Sequence, residues 1–181
     1  MLTSIPLFGN SSMRLCLKLS GSSCARAIVE TPEHEVVVDA PPDEVWAALV
    51  STFTRLTTRV GWRVYGQAVR CQPVSASGVP DVVGAAVPGF RVVASVPPSE
   101  WALEGRHQFS RYALTFRITP LEGERSLLRA ESSAVFPGLH GRVYRALVIG
   151  TGGHVVGVRS ILRSIKVEAG RSRLSSAASE G

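Results

Sequence analysis

The chain has 181 residues, of which 45% are hydrophobic, and it carries a formal net charge of +6 at pH 7. This length supports a single domain with a buried core, and the apolar content excludes a largely disordered protein. No apolar run reaches the roughly 18 residues that a membrane-spanning helix requires, so we expect no membrane span.

Both ends of the chain differ from its middle. Residues 1–32 carry Ser, Gly and Asn, and they contain three basic residues but no acidic residue before Glu30. This composition fits either an organelle transit peptide or a flexible tail, and we favour the tail. Residues 171–181 are rich in Ser and Ala, and we expect them to be disordered. The sequence therefore predicts one folded domain over residues 33–170.

The first predicted element is a strand over residues 34–40, which ends at Ala-Pro-Pro because proline pushes the residue before it toward extended geometry. Asp43 and Glu44 then place negative charge in the first turn of a helix, where the helix dipole favours it. Apolar residues recur at helical spacing as far as about Val69. We predict a helical region over 43–69, broken near Gly61.

Five strands follow in quick succession. Their predicted ranges are 82–87, 90–96, 101–109, 112–118 and 127–136. The connections are too short for the crossover that parallel strands need, so neighbouring strands must be antiparallel.

Alternation along the last three strands predicts one apolar face and one charged, wet face. The predicted apolar face carries Trp101, Leu103, Gly105, His107, Tyr112, Leu114, Phe116, Leu128, Ala130 and Ser132. Glu104, Arg106 and Glu131 fall on the other face. A sheet with one apolar face needs one further layer of structure that packs on that face.

A long helix over residues 139–167 supplies this cover. At 1.5 Å per residue it would span roughly 45 Å, enough to cross a curved sheet. Gly150, Gly152 and Gly153 weaken its middle, because each glycine costs up to about 1 kcal/mol in a helix interior. We interpret them as a hinge over a cavity or as a point of close packing on the sheet.

The strand–proline–helix opening, the strand meander and the long last helix resemble the START-like helix-grip domains of the SRPBCC superfamily. The resemblance covers residues 34–168. It implies an α+β fold in which an antiparallel sheet of about six or seven strands wraps around a long C-terminal helix. The helical region 43–69 is longer than the short helical pair usual in that superfamily.

The resemblance also implies a function: binding a small hydrophobic ligand, such as a lipid, a polyketide or an aromatic metabolite, in a cavity between the sheet and the C-terminal helix. The alternative is a polyketide cyclase/dehydratase-like enzyme that uses a cavity histidine as general acid/base. A third alternative is an interaction module with a collapsed core. The residues contain no nucleophile elbow and no hydrolytic triad, so the question of catalysis stays open.

The candidate site lies on the apolar side of the sheet and on its cover. His107 and His154 are candidates for acid/base or hydrogen-bonding roles because imidazole titrates near neutral pH; a structural role is the alternative for each. The predicted ligand-binding residues are Trp101, Gly105, His107, Tyr112, Phe116, Ala130, Ser132, Tyr144 and His154. The small residues among them would leave volume for a ligand.

Other partners and cofactors are not indicated. Eighteen of the 20 basic residues are arginines scattered singly along the chain, without the basic aromatic face of a nucleic-acid binder. The glycines after Leu147 lack the third glycine and the second strand of a dinucleotide site. Neither a zinc-ligand pattern nor a disulfide framework is present among three cysteines without a C-x-x-C pair. We therefore expect no nucleic acid, no metal and no cofactor, and a cytoplasmic location.

Overall fold

The computed structural model describes residues 28–30, 33–148 and 153–179. These residues form seven strands and four helices. In chain order they are β1 (Ile28–Glu30), β2 (His34–Val38), α1 (Pro42–Thr58), α2 (Val60–Ala68), β3 (Ala86–Val87), β4 (Phe90–Val96), β5 (Glu100–His107), β6 (Ser110–Leu121), β7 (Arg125–Val135), α3 (Gly138–Val148) and α4 (Gly153–Ser179).

The strands form one antiparallel sheet in the order β1-β7-β6-β5-β4-β3, and β2 also pairs with β7. Strand β1 lies opposite residues 133–135 of β7, and β2 lies opposite residues 126–130. The two short strands therefore follow one another along the same edge. This antiparallel α+β architecture confirms the predicted fold class.

The predicted apolar face of the sheet is confirmed. Trp101, Leu103 and Phe116 are at most 1% exposed, and they face Phe53 from α1. The ring of Phe53 lies edge-on to Trp101 and Phe116, with centroids 5.4 Å and 5.9 Å away. Edge-to-face packing of this kind adds to the free energy gained by burial alone.

Helix α4 joins the same core through one stripe of side chains. Val158, Leu162, Ile165 and Ala169 recur at helical spacing and are buried together with Phe53. Most of the neighbours of α4 lie on α1 and β2, and fewer lie on β7. The last helix therefore covers α1 and one edge of the sheet, instead of crossing the whole sheet as expected.

Several predicted boundaries differ from the structure. The strand predicted over 82–87 is reduced to Ala86–Val87, because residues before it form turns and Gly84 has φ of +89°. The helical region breaks at Arg59, whose backbone is extended, two residues before Gly61, near which the break was predicted. Gly61 lies within α2, because glycine can adopt helical geometry. Helix α1 ends at Arg59 because the backbone of this residue is extended, whichever side chain it carries.

In the region predicted as one helix over 139–167, the described residues form two helical ranges, α3 and α4. Residues 149–152, with the predicted glycine hinge, lie outside the described residues. The backbone of α4 is helical to Ser179, beyond the predicted domain boundary at residue 170. The expected flexible segment 1–32 lies almost entirely outside the described residues and stays a prediction. Among the helices that the structure describes, none is both long and apolar enough to cross a membrane.

Candidate functional site

All three tyrosines of the chain meet at one end of the sheet. There, the hairpin between β5 and β6 lies beside α2 and α3. We call the group of Tyr65, Cys71, His107, Tyr112 and Tyr144 the tyrosine cluster. Its members come from α2 and the segment that follows it, from the ends of β5 and β6 that form the hairpin, and from α3.

Hydrogen bonds and close contacts link the members of the cluster. The hydroxyl of Tyr112 donates to the carbonyl oxygen of Gly89 over 2.8 Å, and it lies 3.8 Å from the sulfur of Cys71. The hydroxyls of Tyr65 and Tyr144 are in direct contact, which joins α2 to α3.

His107 packs against two tyrosines but makes its hydrogen bonds elsewhere. Its ring centroid lies 4.9 Å from that of Tyr144 and 5.5 Å from that of Tyr112. Its Nδ1 accepts from the backbone N–H groups of Phe109 and Ser110, at 3.1 Å and 3.2 Å. Its Nε2 lies 3.1 Å from the Ser110 hydroxyl. Because Nδ1 accepts, Nε2 carries the proton, and both nitrogens are used within the hairpin.

Further aromatic rings surround the cluster. Phe109 stacks on Tyr144 with centroids 5.1 Å apart, and Phe90 lies edge-on to Tyr112 at 5.2 Å. Trp62 stacks on Phe90 and donates from its indole nitrogen to the Pro88 carbonyl over 3.0 Å. The polar groups of the cluster are thus held in an apolar, aromatic setting.

Gly105 allows Tyr112 to take its position. The two residues are opposite one another in the β5–β6 ladder. A Cβ atom at Gly105 would lie 2.1 Å from the Gly89 oxygen and 2.4 Å from the Tyr112 ring. The space above Gly105, which the sequence suggested would be empty, is therefore filled by Tyr112 and the Gly89 backbone.

A second glycine sets the position of α3. A Cβ atom at Gly141 would lie 2.9 Å from the carbonyl carbon of Phe136 and 3.0 Å from the oxygen of Phe109. The absence of a side chain lets α3 touch the backbone of the hairpin, and this contact brings Tyr144, one turn later, over His107.

Partial burial shifts the pKa values of the cluster further toward the uncharged forms. It raises the pKa of Tyr65, Tyr112 and Tyr144, and the Tyr65–Tyr144 contact adds to the rise for Tyr65. Burial also raises the pKa of the Cys71 thiol and lowers the pKa of His107. The cluster therefore presents phenol and thiol donors and no thiolate nucleophile.

The structure brings together three of the predicted site residues: His107, Tyr112 and Tyr144. It places Trp101, Phe116 and Ala130 in the packed core, each at most 1% exposed. Ser132 lies on β7 opposite Leu114. His154 is the second residue of α4, and its side chain lies outside the described residues.

Sequence reasoning missed Tyr65, Trp62 and the contact of Cys71 with Tyr112. Trp62 and Tyr65 are three residues apart in a helix, so their aromatic pairing could have been read from the spacing. No comparable pattern in the sequence indicates that α2 lies beside α3. Cys71 itself is buried, with 5% of its surface exposed.

An open hollow lies elsewhere. It is a groove of about 650 Å³ between the outer side of α1 and the Val79–Asp81 turn, with Trp46 and Arg55 in its lining. It does not lie between the sheet and α4, where the cavity was expected. Within the core, the indole nitrogen of Trp101 is buried and has no hydrogen-bond partner among the described residues.

The described residues contain no group of three or more His, Cys, Asp or Glu side chains that could hold a metal ion. A metal would need acceptor ligands in deprotonated form, whereas the tyrosine cluster is protonated. The cluster is suited to hydrogen bonding with a neutral molecule.

Comparisons with known proteins establish the fold. No protein-family model matches the chain, and no curated protein matches its sequence. The ZhuI aromatase/cyclase from Streptomyces sp. R1128 is 17% identical, with 80% of this chain and 95% of that chain covered and a TM-score of 0.54. Truncated norcoclaurine synthase from Thalictrum flavum is 12% identical over 80% and 95%, with a TM-score of 0.51. Mll3558 from Rhizobium loti is 20% identical over 78% and 99%, with a TM-score of 0.50.

These likenesses define the class of architecture: an α+β domain with a helix-grip fold. At such identities they carry the fold and nothing about the reaction. The resemblance stated from the sequence is confirmed at that level.

Proposed function

We propose that the protein binds a small, uncharged, largely apolar or aromatic molecule at the tyrosine cluster. The observation that carries this proposal is the convergence of Tyr65, Tyr112, Tyr144 and the Cys71 thiol within a surround of aromatic rings. Ligand sites of this size are mostly apolar, with a few polar groups that fix orientation.

The chemistry of the cluster selects the ligand class. The three phenols and the thiol are protonated near neutral pH, and burial raises their pKa values further. The hydroxyls of Tyr65 and Tyr144 and the Cys71 thiol can therefore donate to carbonyl, phenolic or ether oxygens, whereas the Tyr112 hydroxyl already donates to Gly89 and can accept from a ligand. The neighbouring rings favour a flat ligand because aromatic pairs stack or meet edge to face. An aromatic metabolite or a polyketide with several oxygen atoms fits these requirements better than a simple fatty acid.

Access to the cluster depends on α2 and α3. No residue of α2 is buried, and the contact between the Tyr65 and Tyr144 hydroxyls joins the two helices. Breaking this contact would free both hydroxyls for a ligand. A bound ligand would then replace the contact between the Tyr65 and Tyr144 hydroxyls with its own contacts to these two groups.

The contacts of His107 favour binding over acid–base catalysis by this residue. Both ring nitrogens are used within the hairpin, so a proton transfer to a ligand would first have to break a turn. We therefore propose a binding protein, and we keep the cytoplasm as its expected location.

The three tryptophans allow a direct test, because each reports on a different region. Trp62 adjoins the cluster, Trp101 lies in the core, and Trp46 lines the open groove. We would label the protein with 5-fluorotryptophan and record fluorine NMR spectra during titration with flat, oxygen-bearing aromatic compounds. The proposal expects a saturable shift of the Trp62 signal and little change at Trp46.

Two variants sharpen this test. Tyr112→Phe and Tyr144→Phe each remove one donor and keep the ring, and each should weaken binding about tenfold if a hydrogen bond is lost. Trp46→Phe in the groove should leave affinity unchanged. A saturable shift at Trp46 alone would place the ligand in the groove, and no saturable shift at any tryptophan would reject a ligand at the cluster.

A further inference from the structure

Helices α2 and α3 expose apolar side chains at the same end of the molecule as the tyrosine cluster. On α2, Val60 is 75% exposed and Val64 is 61% exposed; on α3, Leu139 is 71% exposed and Val143 is 63% exposed. In each pair the residues are four positions apart, so each pair lies along one side of its helix.

The two apolar pairs flank the junction between the helices. Val64 and Val143 directly precede Tyr65 and Tyr144, whose hydroxyls are in contact. Successive residues of an α-helix point about 100° apart. Each pair therefore lies beside the tyrosine that joins the two helices, and we call the two pairs together the α2–α3 face.

The charge of helices α2 and α3 has one sign. Together with Arg59, which directly precedes α2, they contain the basic residues Arg63, Arg142 and Arg145 and no acidic residue. Arg59 and Arg63, next to the apolar pair of α2, are exposed. The segments that contain the α2–α3 face therefore carry a net positive charge.

We propose that the α2–α3 face docks on a lipid surface that carries anionic headgroups. Amphipathic helices with exposed apolar and basic side chains lie in the membrane interface, where the apolar residues enter the headgroup boundary and the basic residues meet lipid phosphates. The absence of acidic residues is the feature that selects a lipid surface, since it removes repulsion from the anionic headgroups. Docking goes beyond the binding function proposed above and does not require a ligand.

Vesicle flotation of the full chain tests this proposal. The protein should float with vesicles of phosphatidylcholine mixed with phosphatidylglycerol and remain unbound with phosphatidylcholine alone. Added salt should reduce binding, because it screens charges near the surface. Binding to both kinds of vesicle with equal strength would overturn the proposal.

Paired substitutions locate the docking surface. Leu139→Ser combined with Val143→Ser should weaken binding on the order of tenfold by removing the apolar contact. Arg59→Gln and Arg63→Gln should each weaken it about fivefold. If the α3 variant is misfolded by circular dichroism, Val60→Ser combined with Val64→Ser makes the same test on α2.

Matched controls lie at the other end of the sheet. Val96 is exposed and pairs with Glu100, at the end of β5 far from His107; Arg125 is exposed in the turn that leads into β7. Val96→Ser and Arg125→Gln should bind vesicles like the unchanged protein. Equal loss in the controls would overturn the proposal. So would a dimer, seen by light scattering, that the Leu139 and Val143 substitutions dissociate, because a second copy would then occupy the face.

Discussion

Helices α1 and α2 follow one another in the chain, yet they are held to the protein in opposite ways. Helix α1 buries seven side chains in the core, together with the stripe of α4, whereas α2 buries none. Helix α2 is fixed instead by a few aromatic and polar contacts, above all those of Trp62 and Tyr65. The α1–α4 region is stabilised by hydrophobic burial, and the α2–α3 region by contacts at a small number of points.

Because of this difference, the stability of the domain and access to the candidate site depend on different parts of the molecule. Segments with few buried apolar contacts open at a lower free energy than the global unfolding of the domain. Under the proposed function, a ligand would therefore reach the tyrosine cluster by opening α2 and α3, while the core around Phe53 stays intact. The predictions below test this division, starting with the largest expected effect.

Phe53→Ala should have the largest effect on stability. Phe53 is 2% exposed and contacts Phe90, Trp101 and Phe116, so removal of its ring should lower the free energy of unfolding by about 3–5 kcal/mol. Urea denaturation measures this change. Val64→Ala on α2 is the control and should change it by less than about 0.5 kcal/mol. Similar losses for both variants would contradict the division.

Gly105→Ala should destabilise the protein by about 1–3 kcal/mol, because the added methyl group would overlap the Gly89 oxygen and the Tyr112 ring. The tyrosine ring would have to leave its position beside Cys71. Gly61→Ala is the matched control, since an added Cβ there meets no atom within 4 Å. That control should gain up to about 1 kcal/mol of helix stability. An unchanged urea midpoint for Gly105→Ala would mean that Tyr112 does not pack as described.

Gly141→Ala should act mainly on α3. The new methyl group would press on backbone atoms of Phe136 and Phe109, which cannot rotate away, so the helix must shift. We expect a loss of about 1 kcal/mol or less and faster hydrogen exchange in α3, with exchange in α1 unchanged. Gly157→Ala in α4 meets open space and should show neither effect. Faster exchange throughout the protein would instead show that α3 is part of the main cooperative unit.

His107 should give the smallest effect, a dependence of stability on pH. Burial lowers its pKa from the ordinary value of 6.5, so the unfolded chain takes up a proton at higher pH than the folded protein does. The contribution of His107 to the free energy of unfolding is therefore fully present above the ordinary pKa of histidine. It is lost as the pH falls from that value toward the lower pKa of the folded state.

Urea midpoints measured across this range should show the fall, and His107→Gln should reduce it. His140→Gln, at an exposed position of α3, serves as the control and should keep it. If His107→Gln leaves the pH dependence unchanged, the histidine is not buried in the hairpin as described.

Much of the fold could be predicted from local pattern. Side chains alternate across a strand because of backbone geometry, so the faces of β5, β6 and β7 were assigned correctly from residues such as Trp101 and Phe116. The strand predicted over 82–87 failed because the apolar pattern contains Gly84, whose positive φ turns the chain. An apolar pattern reports burial, and it does not report backbone torsion.

The candidate site could be predicted only in part. His107, Tyr112 and Tyr144 were named because they lie on an apolar face or near its cover. Gly105 was interpreted as empty space, although the Tyr112 ring of the neighbouring strand fills it. Whether a small residue leaves a cavity depends on the side chain opposite, which register and rotamer decide together.

The sequence by itself determined the alternating faces, the helical stripes and the order of elements, because these follow from covalent geometry and from the burial preference of each side chain. The tertiary structure alone decided that α4 packs along α1 and that three tyrosines from distant segments meet beside one cysteine. Such contacts join residues with no fixed spacing along the chain, and they form only where the shapes of separately folded elements fit.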